Sequence, residues 1–345
     1  MRLIVLLCCA LSIAAAGPTK PVAPIVSEVL ATQVALDRAG FSPGEIDGRS
    51  GKNLQRALDA YKQSRDQPLS LLGDMPPLTD YTITDADVAG PFTSDIPPNL
   101  PDQAALDALS YRSPLEVLGE RFHSSPALLQ QLNPGATFQQ AGEKIMVPNV
   151  NPFVPSAVSA APAAPARSGS SSRSGSSARS GSAARLGSAA PSASPGQSAS
   201  PRQPAAPAAD VTVYVTSGTS ALTVEDASGK ILMHAPVTSG SIHDPLPIGM
   251  WKVNGVQRNP KFHYNPDLFW DATPGDRKVT IQPGPNNPVG IVWIDLSKPH
   301  YGIHGTPEPS KIGHVESHGC VRLTNWDADR LAQMVKPGTK VVFRE

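Results

Sequence analysis

Cys320 lies in the run YGIHGTPEPSKIGHVESHGCVRL (301–323) with three of the chain's eight histidines, His304, His314 and His318. Cysteine attacks as its thiolate, and a free thiol titrates at about 8.5. A neighbouring base must therefore take its proton, and a third group must orient that base. Acyl chemistry also needs backbone N–H groups aimed at the developing oxyanion. A glycine lets the backbone come close. Ser317-His318-Gly319-Cys320 thus reads as a nucleophile turn, and His304, at a strand end, as its base. His314 and His318 are four residues apart, a spacing found in zinc-binding helices. Glu316 stands in the wrong place for H-E-x-x-H and Gly319 follows at once, so no metal site is expected.

The elements that must position these groups are mostly strands. Val211, Val213 and Val215 alternate with Thr212 and Tyr214, the period-two pattern of a half-buried strand. ALTVED, KILMHAPV, VTIQP, GIVWIDL, YGIHG and KVVFRE follow, separated by Gly, Pro, Asn and Asp. One helix is expected near the end, capped by Asn325, with Ala328, Leu331, Ala332 and Val335 on its apolar face and Pro337-Gly338 as its stop. Residues 210–345 are therefore expected to form a mainly-β sandwich or barrel with one C-terminal helix.

His304-Gly305 and, downstream, Ser317-His318-Gly319-Cys320-Val321-Arg322 resemble the signature of the L,D-transpeptidase (YkuD-type) catalytic domain. Ser239-Gly240, Pro247-Ile248-Gly249 and PGPNNPVG (283–290) extend the likeness over essentially all of 210–345. The resemblance implies Cys320 as nucleophile and His304 as general base, with the carbonyl of Gly305 orienting the imidazole in place of an aspartate. It implies that His318 shapes the pocket and that amides around Gly319 and Cys320 hold the oxyanion. Arg322, Ser317 and Tyr301 are expected to bind substrate. The reaction it implies is a two-step acyl transfer through a cysteinyl thioester, with a tetrapeptide stem of peptidoglycan as donor, needing no cofactor. The acceptor is an amine of another stem, giving a 3→3 cross-link, or of a protein. A hydrolytic L,D-carboxypeptidase using the same cysteine and a non-enzymatic wall-anchoring protein are the alternatives.

The rest of the 345 residues divides by composition. Residues 1–16 read as a signal peptide, with Arg2, an apolar stretch from Leu3 to Ala16, and Ala14-Ala15-Ala16 before Gly17. That stretch is shorter than the roughly 20 residues that span a bilayer, so export to the periplasm is expected, with no membrane span afterwards. Cys8 and Cys9 would leave with it, and Cys320 would remain as a lone thiol. Residues 22–72 carry Val26, Leu30 and Val34 at helical spacing, the turn FSPGEIDGRSG, and a second apolar face of Leu54, Ala57, Leu58 and Tyr61. They resemble a small helical peptidoglycan-binding domain. Residues 73–110, rich in Pro and Asp, carry no assignment. Residues 111–150 have two capped helix starts, Ser113-Pro114 and Ser125-Pro126, then GEKIMVP. They resemble a LysM domain, which binds N-acetylglucosamine-containing glycans in a strand–helix–helix–strand fold, with Tyr111-Arg112-Ser113 where the opening strand would stand. Residues 151–209 are almost entirely Ser, Ala, Pro, Gly and Arg, with arginines at 167, 173, 179 and 185, and read as a disordered linker.

The 37 prolines disfavour long helices over much of the chain. The zero net charge divides unevenly. Residues 17–150 hold ten basic against sixteen acidic side chains, 151–209 five arginines and no acid, and 210–345 thirteen of each. No part has the basic footprint of a nucleic-acid binder. The expected arrangement is two wall-binding units holding the enzyme on its polymer, with the linker letting the catalytic domain search nearby.

Overall fold

The computed structural model describes residues 26–69, 75–155 and 210–345. The expected signal peptide and nearly all of the expected linker lie outside these. The chain begins with α1 (Glu28–Ala39), which starts where the Ser27 side chain accepts from the Leu30 amide and stops at Gly40 in the left-handed conformation. After the turn comes α2 (Lys52–Ser64), its apolar face built by Leu54, Ala57 and Tyr61.

β1 (Leu78–Thr82), α3 (Asp85–Val88), α4 (Leu100–Gln103), α5 (Pro114–Arg121), α6 (Pro126–Leu132) and β2 (Lys144–Pro148) follow. Ser113 and Ser125 cap α5 and α6 as their sequence implies. The opening strand differs from expectation. β1 pairs antiparallel with β2 from Leu78↔Pro148 to Thr82↔Lys144. The strand therefore lies within the unassigned 73–110 stretch, and 83–113 is inserted between strand and helix pair. LTDYT gives little signal by itself, because only its first residue is buried.

The C-terminal part is mainly β. β3 (Thr212–Thr216), β4 (Ala221–Glu225), β5 (Ile231–Pro236), β6 (Thr238–Ser239), β7 (Gly249–Arg258), β8 (Phe262–Tyr264), β9 (Val279–Ile281), β10 (Val292–Leu296), β11 (Gly302–His304), β12 (Val321–Arg322), α7 (Asn325–Met334) and β13 (Lys340–Arg344) are its elements. Nine strands form one sheet in the order β5-β4-β3-β13-β7-β10-β11-β12-β6, and β8 pairs with β9 alone. Its core is Val213, Val215, Leu222, Met233, Ile294, Ile303, Val321 and Phe343, with Leu331 of α7 packed in. The α7 N-cap is Thr324, whose hydroxyl accepts from the Asp327 amide, one residue before the expected Asn325.

The N-terminal units pack against this domain and against each other, which overturns the expectation of a catalytic domain searching on a tether. Leu30, Val34 and Ile46 of the first unit share a core with Leu118, Phe122 and Leu129 of the second. Phe153, at the start of the expected linker, is buried in the catalytic core. The Ser42 amide donates to the His234 carbonyl at 2.8 Å, and the His234 amide to Gly40 at 2.9 Å. The Ser42 hydroxyl donates to Asp327 at 2.8 Å, and His123 pairs with Asp37 at 3.0 Å while stacking on Trp326. Phe41, Ser42 and Ile46, from the turn that resembles a polymer-binding motif, are fully buried. They dock the chain onto itself because their apolar and hydrogen-bonding groups find partners there.

Glu120 of α5 is largely enclosed at this junction, bonded to the Tyr111 hydroxyl and the Asn325 side-chain amide. Burial raises its carboxyl from 4.5 to about 7, against those two hydrogen bonds, which favour the carboxylate. Between these values the folded protein keeps a proton that the unfolded chain has released. Its contribution to stability therefore falls as pH rises from about 4.5 to about 7, then levels off. Glu120→Gln stays neutral, so its thermal midpoint relative to the parent should climb from pH 5 to pH 7.5; a constant difference would refute the buried proton.

Candidate active site

β11 and β12 run parallel in the register Ile303↔Val321 and His304↔Arg322. Ile303 and Val321 are both in the core. Strand side chains alternate between faces, so the residues flanking them, His304, Cys320 and Arg322, are sent to the opposite face. Two groups sixteen residues apart in the chain are thereby set on neighbouring strands. β6 completes the edge, pairing Thr238 with Arg322 and Ser239 with Val321.

His304 is 4% exposed and stacks on Trp293. Its Nδ1 lies 2.7 Å from the Gly305 carbonyl oxygen. A carbonyl can only accept, so Nδ1 carries the proton and Nε2 keeps its lone pair. Burial, with the Arg322 guanidinium adding to it, pushes the imidazole down to about 3. The Cys320 thiol is partly exposed and donates to the His300 carbonyl at 3.8 Å. Burial pushes the thiol up, against the opposing pull of the Gly302 amide and Arg322. The resting pair is therefore a neutral thiol and a neutral imidazole. Arg322 feels Cys320, Glu308 and Asp271, yet among the described residues its guanidinium enters no hydrogen bond or ion pair.

The nucleophile turn is held by Ser317. Its hydroxyl accepts from the Gly240 amide at 2.7 Å and donates to the Cys320 carbonyl at 2.7 Å. Its own amide donates to Gly240 at 3.0 Å, and the residue is 3% exposed. The hydroxyl of Ser317, a residue whose sequence context points to substrate binding, is thus engaged inside the turn. Gly319 has φ 97°, and a Cβ there would lie 2.9 Å from the Tyr301 hydroxyl oxygen. Tyr301 thus covers the turn beside Cys320, with the Lys298 ammonium 4.6 Å from its ring centre.

His318 is covered by a segment that sequence reasoning passed over. Its Nε2 lies 2.7 Å from Asp271, and its ring packs on Phe269 and Trp270 at 4.8 and 5.7 Å. His243 stacks on Trp270 in turn at 4.3 Å. The adjacent aromatics in DLFWD (267–271), set in a Pro- and Asp-rich stretch, were the available signal. His314 is exposed on its loop. His234 is buried against Phe41 at the junction of units.

Two outcomes follow from this geometry. Alkylation of Cys320 by iodoacetamide should keep rising as pH passes 9, because burial holds the thiol above its ordinary range. A plateau below pH 7 would instead reveal a thiolate–imidazolium pair. Ser317→Ala removes a buried hydroxyl with two partners and should lower stability by about 1–3 kcal/mol in denaturant titration.

Comparison with known proteins matches residues 210–343 to the YkuD model, the L,D-transpeptidase catalytic domain. The YkuD protein of Bacillus licheniformis is 52% identical over 63 residues, 18% of this chain and 38% of the relative. The YkuD protein of Bacillus subtilis (strain 168) is 31% identical over 131 residues, 38% of this chain and 64% of the relative. The chain thus spans less than two thirds of the length of either relative. An L,D-transpeptidase structure from Mycobacterium smegmatis aligns at 19% identity with a TM-score of 0.33, over 40% of this chain and 59% of that one. Residues 210–343 of this protein, where the histidine–cysteine site lies, belong to the YkuD family of L,D-transpeptidase catalytic domains.

Proposed function

We propose that the protein is an exported, periplasmic peptidoglycan L,D-transpeptidase that joins stems by 3→3 cross-links, with a protein amine as a second class of acceptor. The observation that carries this reading is the placement of His304, Cys320 and Arg322 on one face of the β11–β12 pair, with Nδ1 of His304 tied to the Gly305 carbonyl. The tie leaves Nε2 as the base and fixes the ring, the task an aspartate performs in other triads.

The donor is a tetrapeptide stem, attacked at the carbonyl of its third residue, a diaminopimelate, on the L-centre. As Sγ approaches, its proton passes to Nε2 of His304 and the Sγ–C bond forms. The amides of Gly319 and Cys320 hold the oxyanion. The C–N bond to D-alanine then breaks, and the imidazolium returns its proton to the departing amine. In the second step the acceptor amine attacks the thioester and gives a proton to His304, and as the Sγ–C bond breaks the imidazolium passes that proton to the departing sulfur. The neutral resting pair suits this sequence, since each proton moves as each bond forms or breaks. The guanidinium of Arg322, without a hydrogen bond among the described residues, offers a fork for a stem carboxylate, and Tyr301 lines the approach to Cys320. The N-terminal units retain the enzyme on wall polymer, raising the local concentration of stems.

The test is incubation of the purified protein with a disaccharide-tetrapeptide ending in D-alanine, with products read by mass beside Cys320→Ala. A 3→3 cross-linked dimer formed only by the parent is expected. Tripeptide without dimer would replace the reading by a hydrolase, and an unconsumed donor would reject acyl transfer from this stem.

A further inference from the structure

The segment 306–316 connects the base to the nucleophile turn, and it is gripped from two sides. From the catalytic sheet, the hydroxyl of Thr238 in β6 accepts from the Gly313 amide at 3.0 Å. From the first helical unit, the Asn53 side chain in the first turn of α2 donates from Nδ2 to the Ile312 carbonyl at 2.8 Å. Asn53 is itself oriented, because Nη1 of Arg56 donates to its Oδ1 at 3.1 Å. A guanidinium only donates and a carbonyl only accepts, so the two partners leave the amide one orientation. The contact is also close-fitting. Gly313 has φ 77°, and a Cβ there would lie 2.5 Å from Oδ1 of Asn53. Ile312 beside it is 2% exposed.

The grip leads to the reacting groups. Thr238 is the register partner of Arg322. Two residues on, Gly240 exchanges backbone and side-chain hydrogen bonds with Ser317, whose hydroxyl holds the Cys320 carbonyl. A shift of Ile312-Gly313 away from α2 would therefore loosen the segment that joins His304 to Cys320 along the chain.

We propose that the first helical unit is a constitutive part of the active site, and that Asn53 is a positioning residue which, through the Ile312 carbonyl, fixes the segment joining base and nucleophile. The inference rests on the acyl-transfer reading above. It gives the unit a role besides holding polymer, consistent with the burial of its turn against the catalytic domain. Displacements of about 1 Å in groups that set reaction geometry cost on the order of a hundredfold in rate, so a single peripheral hydrogen bond can matter.

The experiment compares full-length Asn53→Ala and Asn53→Asp with the parent. Aspartate keeps the shape but loses the donor. Expected are faster amide hydrogen exchange over 306–316 with parental exchange in β10, and a fall in kcat of about ten- to a hundredfold with KM little changed. Faster exchange with parental kcat would make the contact merely structural and overturn the proposal, as would parental behaviour in both readouts. If Asn53→Ala does not fold, Arg56→Ala removes only the bond that orients Asn53 and carries the same test with a smaller expected change. Should the parent fail to consume the tetrapeptide, the acyl-transfer reading falls separately. The rate of Cys320 alkylation by iodoacetamide in the variants then decides, a parental rate overturning the role of Asn53.

Discussion

Two residue pairs, Ile303 with Val321 and His304 with Arg322, set the register on which the site depends. Ile303 and Val321 are buried in the main core, so the register is held by their removal from water. A slip of one residue would send His304, Cys320 and Arg322 inward and the two apolar side chains out. Catalytic geometry and core packing are thus the same choice. The Gly305 carbonyl, one residue past the strand end, then fixes the imidazole without any further side chain.

Electrostatics at the site follow from the same burial. Desolvation opposes charge on both partners, lowering His304 and raising Cys320. Arg322 works against the imidazolium and for the thiolate, so it favours charge on sulfur while leaving nitrogen free to accept a proton. Ser317 supplies no charge. It holds the turn by satisfying the Gly240 amide and the Cys320 carbonyl from a buried position. His318 is kept by Asp271 and by the aromatic rings of the 265–272 segment, which together wall one side of the site.

The N-terminal units are joined to the catalytic domain by apolar burial and by a polar junction. Phe41 packs on Tyr61 and His234. Asp37, His123, Ser42, Asp327, Glu120 and Asn325 are all hydrogen-bonded there. Such a junction is costly to break partway, because each partner left alone would be a buried polar group without a bond. The units therefore behave as parts of one body, with α2 reaching as far as the loop that leads to Cys320.

The sequence by itself determined the local features of this protein. Alternating valines gave the strands, Ser113 and Ser125 the helix starts, and the clustering of His304 with the Ser317–Arg322 run the candidate site. These are short-range properties, written in period and in residue chemistry within a few positions. Only the tertiary structure decided what depended on distant partners. β1 acquires its identity from β2, more than sixty residues away, since its own five residues bury little. The Ser317 hydroxyl meets the Gly240 amide, seventy-seven residues away in the chain. Asp271 and Asn53 matter through the groups they meet, and no spacing in the chain records those meetings. Where two segments come together depends on the whole free energy of packing, and a residue whose role is to satisfy a distant backbone group carries no local mark of it.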